Sequence, residues 1–343
     1  MKISIGARIQ PGPWGGGNRF CAVLSDALQQ TGHTVTYDLT DDDLDAILLI
    51  EPDRRLRISA YDHADILWYL LRVNPRCVVV HRINNTSEAR QDPRKTFNHM
   101  RIQANRVADH TVFVSQWVRD CYQESGFDRN EVSVIHNGAD HTLWSPGDHP
   151  RPPGPLRLVT HHWSKNLNKG WDLYQQLDHL LGQPEWAERF AFTFVGSLPD
   201  GMTLTNSRMV PPLNGTPLVE ELRRHDIYLT ASRFEAGPNH VLEGALCGLP
   251  LLYLESGAMA EYTQGFGLSY TPETLETALI RMAHEYPMWQ KRMALYPFTA
   301  QRMCQHYLDL LCQLTNRREE LMKKRRFWSS WPWVARTLWR RGQ

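Results

Sequence analysis

Short apolar runs alternate with segments of helical periodicity along nearly the whole chain, and this pattern restricts the fold more than any other feature. In the first part of the chain, the runs that predict strands are 3–7, 34–37, 46–50, 77–81, 111–115 and 132–136. In the second part they are 156–161, 190–195, 208–210, 227–230 and 251–254. Strands separated by helices pair in parallel, because the crossover helix returns the chain to the same edge of the sheet. The sequence therefore predicts an α/β fold with two doubly wound domains.

A proline-rich break separates the two series of strands. Four of the seven residues in 149–155 are prolines, a composition that supports neither a helix nor an inner strand. We therefore interpret 1–148 as the first domain, 149–155 as a linker and 156–295 as the second domain. Residues 296–316 are predicted to form a helix that packs back on the first domain, and 317–343 to form a separate tail. Ligands of open α/β sheets bind beyond the carboxyl ends of the strands, so we expect the two domains to face a central cleft that holds the site.

The tail differs from the rest of the chain in charge and in aromatic content. It holds nine Lys or Arg and two Glu, a net charge of +7, so the other residues sum to −6 within the total of +1. Four of the twelve tryptophans also lie there. Because basic residues are attracted to anionic lipid and tryptophan favours the headgroup zone, we predict contact with a membrane surface. The residues assigned to this contact are Lys323, Lys324, Arg325, Arg326, Trp328, Trp331 and Trp333.

Two alternatives for the tail stay open, a segment folded back on the first domain and a patch that binds nucleic acid. If the membrane interpretation holds, truncation at Asn316 should leave the fold intact and reduce binding to lipid vesicles.

The segment 232–250 carries the strongest chemical signal. It follows the strand predicted at 227–230, and its helix is predicted to begin at Pro238 or Asn239 and to end before Gly248 and Pro250. Glu235 precedes that helix, and Glu243 lies about one turn into it. A helix N-terminus offers unpaired N–H groups and a partial positive charge that suit a diphosphate, and nearby carboxylates accept hydrogen bonds from sugar hydroxyls.

These residues resemble the E-x7-E signature of the family 4 glycosyltransferases, enzymes of the GT-B fold with two Rossmann-like domains. The resemblance implies that Glu235 contacts the transferred sugar and that Glu243 binds the ribose of the nucleotide. It also implies that the loop at Gly237, Pro238 and Asn239 lines the sugar site, although proline has no N–H to donate.

A second loop supports the resemblance. Residues 160–170 follow the first strand of the second domain and end in Lys169-Gly170, similar to the family loop whose lysine binds the donor diphosphate. Most members place an arginine five residues before that lysine, where this chain has Ser164, and Lys165 is the weaker candidate to compensate. His161 and His162 are interpreted as packing residues at the end of the strand rather than as metal ligands.

The first domain contributes further candidates. Gly16 and Gly17 belong to a glycine-rich turn after the first strand, which resembles the family loop that approaches the donor phosphates or the acceptor. His81 and Arg82 end another strand, where the resemblance implies an acceptor-side role; His81 is assigned to catalysis with Glu235 and Lys169, and a buried packing histidine is the alternative. Glu261 is a weaker candidate for the same site.

The function implied by the resemblance is a retaining, metal-independent hexosyltransferase that uses a nucleoside diphosphate sugar and no cofactor. The expected acceptor is a hydroxyl of a glycan or of a lipid-linked saccharide, and the expected role is in cell-surface polysaccharide synthesis. Nucleic acid is not expected to be a partner. The alternatives are a nucleotide-sugar epimerase of the same fold and a non-catalytic sugar-nucleotide-binding protein. Six scattered cysteines and the lack of an 18-residue apolar run favour the cytoplasm, with peripheral contact at the inner face of the membrane.

Overall fold

The computed structural model describes residues 1–10, 12, 15–147 and 153–341. The side chains of Arg326, Trp328 and Arg340 also lie outside what it describes. The chain divides into two compact units, the first made of Met1–Asn137 with the chain from Gln301 onward, and the second made of Gly138–Ala300. The division therefore falls earlier than the linker predicted at 149–155, of which only 153–155 are described.

The first unit contains a six-stranded parallel sheet with the order β2-β1-β3-β4-β5-β6. Its strands are β1 (Lys2–Ile5), β2 (Thr34–Thr36), β3 (Ala46–Leu49), β4 (Val78–Ile83), β5 (His110–Phe113) and β6 (Val132–Val134). Its helices are α1 (Gly16–Gln30), α2 (His63–Arg72), α3 (Thr96–Ala104) and α4 (Gln116–Glu124), and from the C-terminal part α11 (Ala300–Asn316), α12 (Arg318–Lys323) and α13 (Trp331–Arg341). Short 3-10 helices cover Asn105–Val107 and Arg326–Ser329.

The apolar residues of the sheet are buried by helices in two separate clusters. In one cluster, α1 and α11 pack together with strand residues such as Ile3 and Val80, and Tyr307 of α11 is fully buried there. The other cluster gathers α2, β3 and β4 with Phe327 and Val334 from the C-terminal tail. Burial of these apolar side chains is the main favourable contribution to the stability of the unit.

The tail is therefore part of the first unit, which favours the alternative of a segment folded back on the first domain over a separate, removable tail. Arg325 is buried, and its guanidinium donates to both carboxylate oxygens of Asp109 at 2.8 and 2.9 Å and to the carbonyl oxygens of Pro75 and Cys77 at 2.6 Å each. Arg325 thus cannot contact a membrane in this structure. Trp333 is half-buried and packs against the same cluster, so we no longer assign it to the predicted membrane contact.

The second unit contains another six-stranded parallel sheet, with the order β12-β11-β10-β7-β8-β9. Its strands are β7 (Leu156–His162), β8 (Phe190–Gly196), β9 (Arg208–Val210), β10 (Ile227–Thr230), β11 (Leu251–Leu254) and β12 (Gly267–Tyr270). Its helices are α5 (Trp171–Leu181), α6 (Pro184–Ala187), α7 (Gly215–Arg223), α8 (Asn239–Leu246), α9 (Met259–Thr263) and α10 (Leu275–Met293). If β7 is numbered 1 and the order is read from β9, the strand order is 3-2-1-4-5-6, which is that of dinucleotide-binding domains.

Two elements of the second unit depend on packing more than on their local sequence. Strand β12 has no apolar run that would predict it, because only Leu268 and Tyr270 face the core, and its pairing with β11 is what makes it a strand. Helix α10 continues through Pro287. The proline removes one backbone donor, but Trp289 and Met293 beyond it are buried, so packing maintains the helix.

Candidate functional site

The sheet order of the second unit determines where its chemical side chains meet. Strands β7 and β10 are hydrogen-bonded neighbours and run parallel. They are the first and fourth strands of the unit, between which the chain reverses the direction in which it builds the sheet. Crevices at this position, outside the carboxyl ends of the strands, are the usual ligand sites of such sheets. Lys169 ends a short 3-10 helix (Leu167–Lys169) in the connection after β7, and Glu235 lies in the loop after β10.

Lys169 and Glu235 form an ion pair at this edge. The Lys169 Nζ donates to Oε1 of Glu235 at 2.6 Å, and the two side chains are 18% and 19% exposed. Gly170 makes the approach possible: a Cβ at that position would lie 2.1 Å from the carbonyl oxygen of Ala231, and its backbone φ is +72°. Lys169 thus places a positive charge at this edge of the sheet, and Gly170 allows the two connections to pack closely.

A third loop holds Glu235 in place, and sequence reasoning did not assign it this role. Phe234 has a left-handed backbone, with φ of +54°, and its amide donates to the hydroxyl of Ser256 at 3.0 Å. The amide of Ala258 donates to the carbonyl oxygen of Glu235 at 2.8 Å. Gly257 packs so closely that a Cβ would lie 2.7 Å from backbone atoms of Glu235. The signal was the Ser-Gly-Ala sequence after β11; the weaker candidate Glu261 lies further along, in α9.

Helix α8 begins with no side-chain cap and no acidic residue in its first turn, as an anion site at its N-terminus would require. Pro238 is the N-cap residue. The Asn239 amide donates to the carbonyl oxygen of Gly237 at 3.0 Å, so in this structure that amide is engaged within the loop. A contact of Gly237, Pro238 and Asn239 with a sugar stays a prediction.

Glu243 is held by a histidine that the sequence analysis had interpreted as packing. The Nε2 of His161 lies 2.8 Å from Oε2 of Glu243, and Nδ1 of the same ring lies 3.0 Å from the hydroxyl of Tyr228. Glu243 is 13% exposed, whereas His161 and Tyr228 are buried. The neighbouring His162 does serve packing: it is buried, contacts the hydroxyl of Tyr174 at 2.6 Å, and burial and the Lys169 charge hold its pKa well below its ordinary value.

Two further cations lie in the connections that follow β7 and β10. Lys165 is exposed and pairs with Asp200 at 2.7 Å. Arg233, which the sequence analysis did not single out, lies between the β10 strand and Glu235, and its amide donates to the Asn168 carbonyl oxygen at 2.7 Å. Its guanidinium forms two hydrogen bonds with Asp172, at 2.9 and 2.6 Å. The loop after β10 therefore contributes a cation, paired with Asp172, that the resemblance did not assign.

The first unit contains the candidates Gly16, Gly17 and Arg82. Gly16 and Gly17 begin α1, after an N-cap glycine with φ of +82°. Arg82 is buried, donates to Oδ1 of Asn137 at 2.9 Å and lies 3.8 Å from the centre of the Phe20 ring. A role of Gly16, Gly17 and Arg82 toward a donor or an acceptor stays a prediction.

His81 is fully buried within β4, with Nδ1 3.0 Å from the side-chain amide of Asn105. Burial lowers its pKa to about 3, with a smaller contribution from Arg101, so the ring is neutral near pH 7. A side chain without exposed surface cannot contact an acceptor in this conformation. The structure thus supports the packing alternative for His81 over the catalytic assignment.

No group of three or more His, Cys, Asp or Glu side chains that could hold a metal ion occurs in the described part of the chain. Among the same residues, no helix combines the length and the apolar character needed to cross a bilayer.

Comparisons with known proteins bear on the family and on the fold. Residues 54–143 match the sequence model of the family described as Glycosyltransferase Family 4. A comparison with curated proteins gave no match.

Several solved structures have a similar fold over nearly the whole chain. Anabaena HepE, in complex with UDP and glucose, has a TM-score of 0.65 and 14% identity, with 92% of this chain and 100% of that chain covered. Sucrose-phosphate synthase from Thermosynechococcus elongatus has a TM-score of 0.61 and 13% identity, with 91% and 98% covered. A glycosyltransferase from Rickettsia africae has a TM-score of 0.64 and 12% identity, with 91% and 98% covered. The resemblance drawn from the motifs is thus confirmed: the chain has the two-domain α/β fold of the GT-B glycosyltransferases, and residues 54–143 match Glycosyltransferase Family 4.

Proposed function

We propose that the protein is a retaining glycosyltransferase, which moves a sugar from a nucleoside diphosphate sugar to a hydroxyl of a glycan or of a lipid-linked saccharide. The observation that carries this proposal is the meeting of Lys169 with Glu235, and of Glu243 with the end of β7, at the carboxyl edge of neighbouring strands. The complexes of HepE with UDP and with UDP-glucose support a nucleoside diphosphate sugar as the donor. A role in cell-surface polysaccharide synthesis is part of the same proposal.

Each residue has a distinct role in the proposed donor site. Lys169 and the N-terminus of α8 offset the charge of the diphosphate. Glu235 accepts hydrogen bonds from the transferred sugar, and Glu243 accepts them from the ribose. Because the diphosphate charge is met by these groups, we propose a reaction without a metal or a cofactor.

In the proposed reaction, the bond between the anomeric carbon and the diphosphate oxygen breaks while the acceptor oxygen bonds to the same face of that carbon. The acceptor proton passes to the departing diphosphate oxygen. No protein nucleophile is needed, and the protein contributes mainly positioning of the donor and stabilisation of the charge on the leaving group.

A screen of nucleoside diphosphate sugars tests the donor assignment. A ligand that binds only the folded state at 100 times its Kd adds about 2.7 kcal/mol of stability. We expect at least one donor to raise the Tm in this way, whereas glucose and inorganic phosphate at the same concentration should not. Absence of stabilisation by every common nucleoside diphosphate sugar would contradict the proposed donor site.

Product analysis with the stabilising donor separates the alternatives. A transferase should consume the donor only when an acceptor is present, and NMR should show the donor's anomeric configuration in the product. An epimerase would convert the donor without an acceptor, and a binding protein would not turn it over. Inversion at the anomeric carbon would contradict the retaining mechanism.

The exposed face of α13 supports peripheral contact with the inner face of a membrane, with a narrower set of residues than the sequence predicted. Trp331 and Trp339 are 66% and 65% exposed, and Ala335 and Arg336 lie exposed on the same side of the helix. Lys323 and Lys324 are also exposed. We propose that this face rests on anionic lipid, where tryptophan rings occupy the headgroup zone and arginine offsets the lipid charge. The side chains of Arg326 and Trp328 lie outside the described part of the structure.

Vesicle sedimentation tests the membrane contact. The Trp331→Ala, Trp339→Ala double variant is expected to bind vesicles of mixed phosphatidylserine and phosphatidylcholine at least about tenfold more weakly than the unchanged protein. The matched control is Leu295→Ala, because Leu295 is an apolar residue of the second unit that is 76% exposed. Equal binding by the double variant, or equal binding to vesicles without anionic lipid, would contradict this contact.

A further inference from the structure

Two members of a hydrogen-bonded series at this site, Tyr228 and His161, have no role in the donor site proposed above. The series runs from the core to the surface, from the Tyr228 hydroxyl through the His161 ring to the Glu243 carboxylate. Tyr228 lies in β10 and His161 near the end of β7, both within the parallel sheet, whereas Glu243 lies on α8. The two inner residues are buried, so the series connects a rigid sheet to a partly exposed carboxylate.

The directions of these hydrogen bonds follow from the donors available. The backbone amide of His161 donates to the Tyr228 oxygen at 3.3 Å. Burial raises the pKa of Tyr228 well above its ordinary value, so the hydroxyl keeps its proton and can donate it. A carboxylate oxygen accepts, so the ring nitrogen 2.8 Å from it, Nε2 of His161, carries the proton, and Nδ1 of the neutral ring accepts from the Tyr228 hydroxyl 3.0 Å away. The Nε2–H of His161 therefore donates to Glu243.

We propose that His161, oriented by Tyr228, is a positioning residue that presents the Glu243 carboxylate to the ribose hydroxyls of the nucleotide. This inference rests on the proposed function. A carboxylate has about four acceptor positions on its two oxygens, so the bond from His161 to Oε2 leaves capacity for a vicinal diol. A glutamate side chain that is already held loses less conformational freedom when the ribose binds, and the bound nucleotide is correspondingly tighter.

The inference predicts that His161 affects recognition of the ribose and leaves recognition of the phosphates unchanged. The probes are a nucleoside diphosphate with the base selected in the donor screen, its 2′,3′-dideoxy form and inorganic pyrophosphate, each titrated by calorimetry. The unchanged protein should bind the ribose form about 10- to 100-fold more tightly than the dideoxy form. In His161→Leu this ratio should fall to about threefold or less, with pyrophosphate affinity within about twofold of the unchanged protein.

Two further variants separate positioning from a general effect on folding. His161→Gln places an amide donor close to the Nε2 position and should restore most of the ribose preference. Tyr228→Phe keeps the ring in the core, removes the hydroxyl that orients the histidine and should lower the ribose preference several-fold. It also serves as the test if His161→Leu does not fold.

The outcomes are distinct. A ribose preference in His161→Leu or Tyr228→Phe equal to that of the unchanged protein overturns the positioning role while the donor site stands. Equal loss of pyrophosphate and nucleotide binding shows a structural role only and also overturns it. If the unchanged protein binds no nucleotide, the proposed function itself fails, which the pyrophosphate and nucleotide titrations of that protein show directly.

Discussion

Replacement of Glu235 by glutamine is expected to lower sugar transfer by at least about 100-fold while strengthening the binding of a nucleoside diphosphate several-fold. Transfer falls because the neutral amide no longer accepts charge-assisted hydrogen bonds from the sugar as the reaction proceeds. Binding strengthens because the carboxylate holds Lys169 at 2.6 Å, so a diphosphate must compete with it for the ammonium. Both changes come from one substitution that preserves the size of the side chain.

Transfer rates and calorimetric titration of the nucleoside diphosphate measure the two effects. Glu220→Gln is the matched control, since Glu220 is an exposed residue of α7 in the same unit. Lys169→Ala should lose both transfer and diphosphate binding. Normal turnover by Glu235→Gln, or weaker diphosphate binding than in the control, would show that the pair does not act on the donor as proposed.

Truncation after Asn316 is expected to destabilise the first unit severely. It removes Arg325 and leaves the fully buried Asp109 carboxylate without its ion pair, a change that costs roughly 3–5 kcal/mol in other proteins. It also removes the fully buried Phe327, and loss of a core phenylalanine costs about 3–5 kcal/mol. Because whole domains are stable by only about 5–15 kcal/mol, we expect loss of native structure in β4 and β5, visible as fast hydrogen exchange.

Point variants keep this prediction testable if the truncated chain is insoluble. Arg325→Ala should lower the free energy of unfolding by about 3 kcal/mol or more in urea titrations. Arg336→Ala, at an exposed position of α13, should change it by less than about 0.5 kcal/mol. A stable truncated protein with unchanged exchange in β4 and β5 would show that the tail is dispensable for the fold.

Much of the fold was predictable because local residue patterns indicate where many of its strands and helices begin and end. Proline, glycine and short apolar runs indicated most of the strands and several helix ends, and Glu235 and Lys169 lie, as predicted, in the connections that follow β10 and β7. The misses have physical causes. Strand β12 depends on pairing with β11, and the role of Ser256 and Gly257 depends on a loop that meets Glu235 only in the folded chain.

The tail shows the difference most clearly. Its composition of basic and aromatic residues is visible in the sequence, but composition does not say which side chains point inward. The structure buries Arg325 and Phe327 and exposes Trp331 and Trp339. A charged residue was therefore assigned to the surface although a buried carboxylate elsewhere in the chain stabilises it in the interior.

The sequence by itself determined the two α/β units and the chemical character of the site, since local periodicity and helix-start signals depend on residues close along the chain. Only the tertiary structure decided which side chains meet. The order of the second sheet places β7 beside β10 and so joins Lys169 to Glu235 across 66 positions and His161 to Glu243 across 82. Such pairings arise from strand order and long-range burial, which no local pattern of residues encodes.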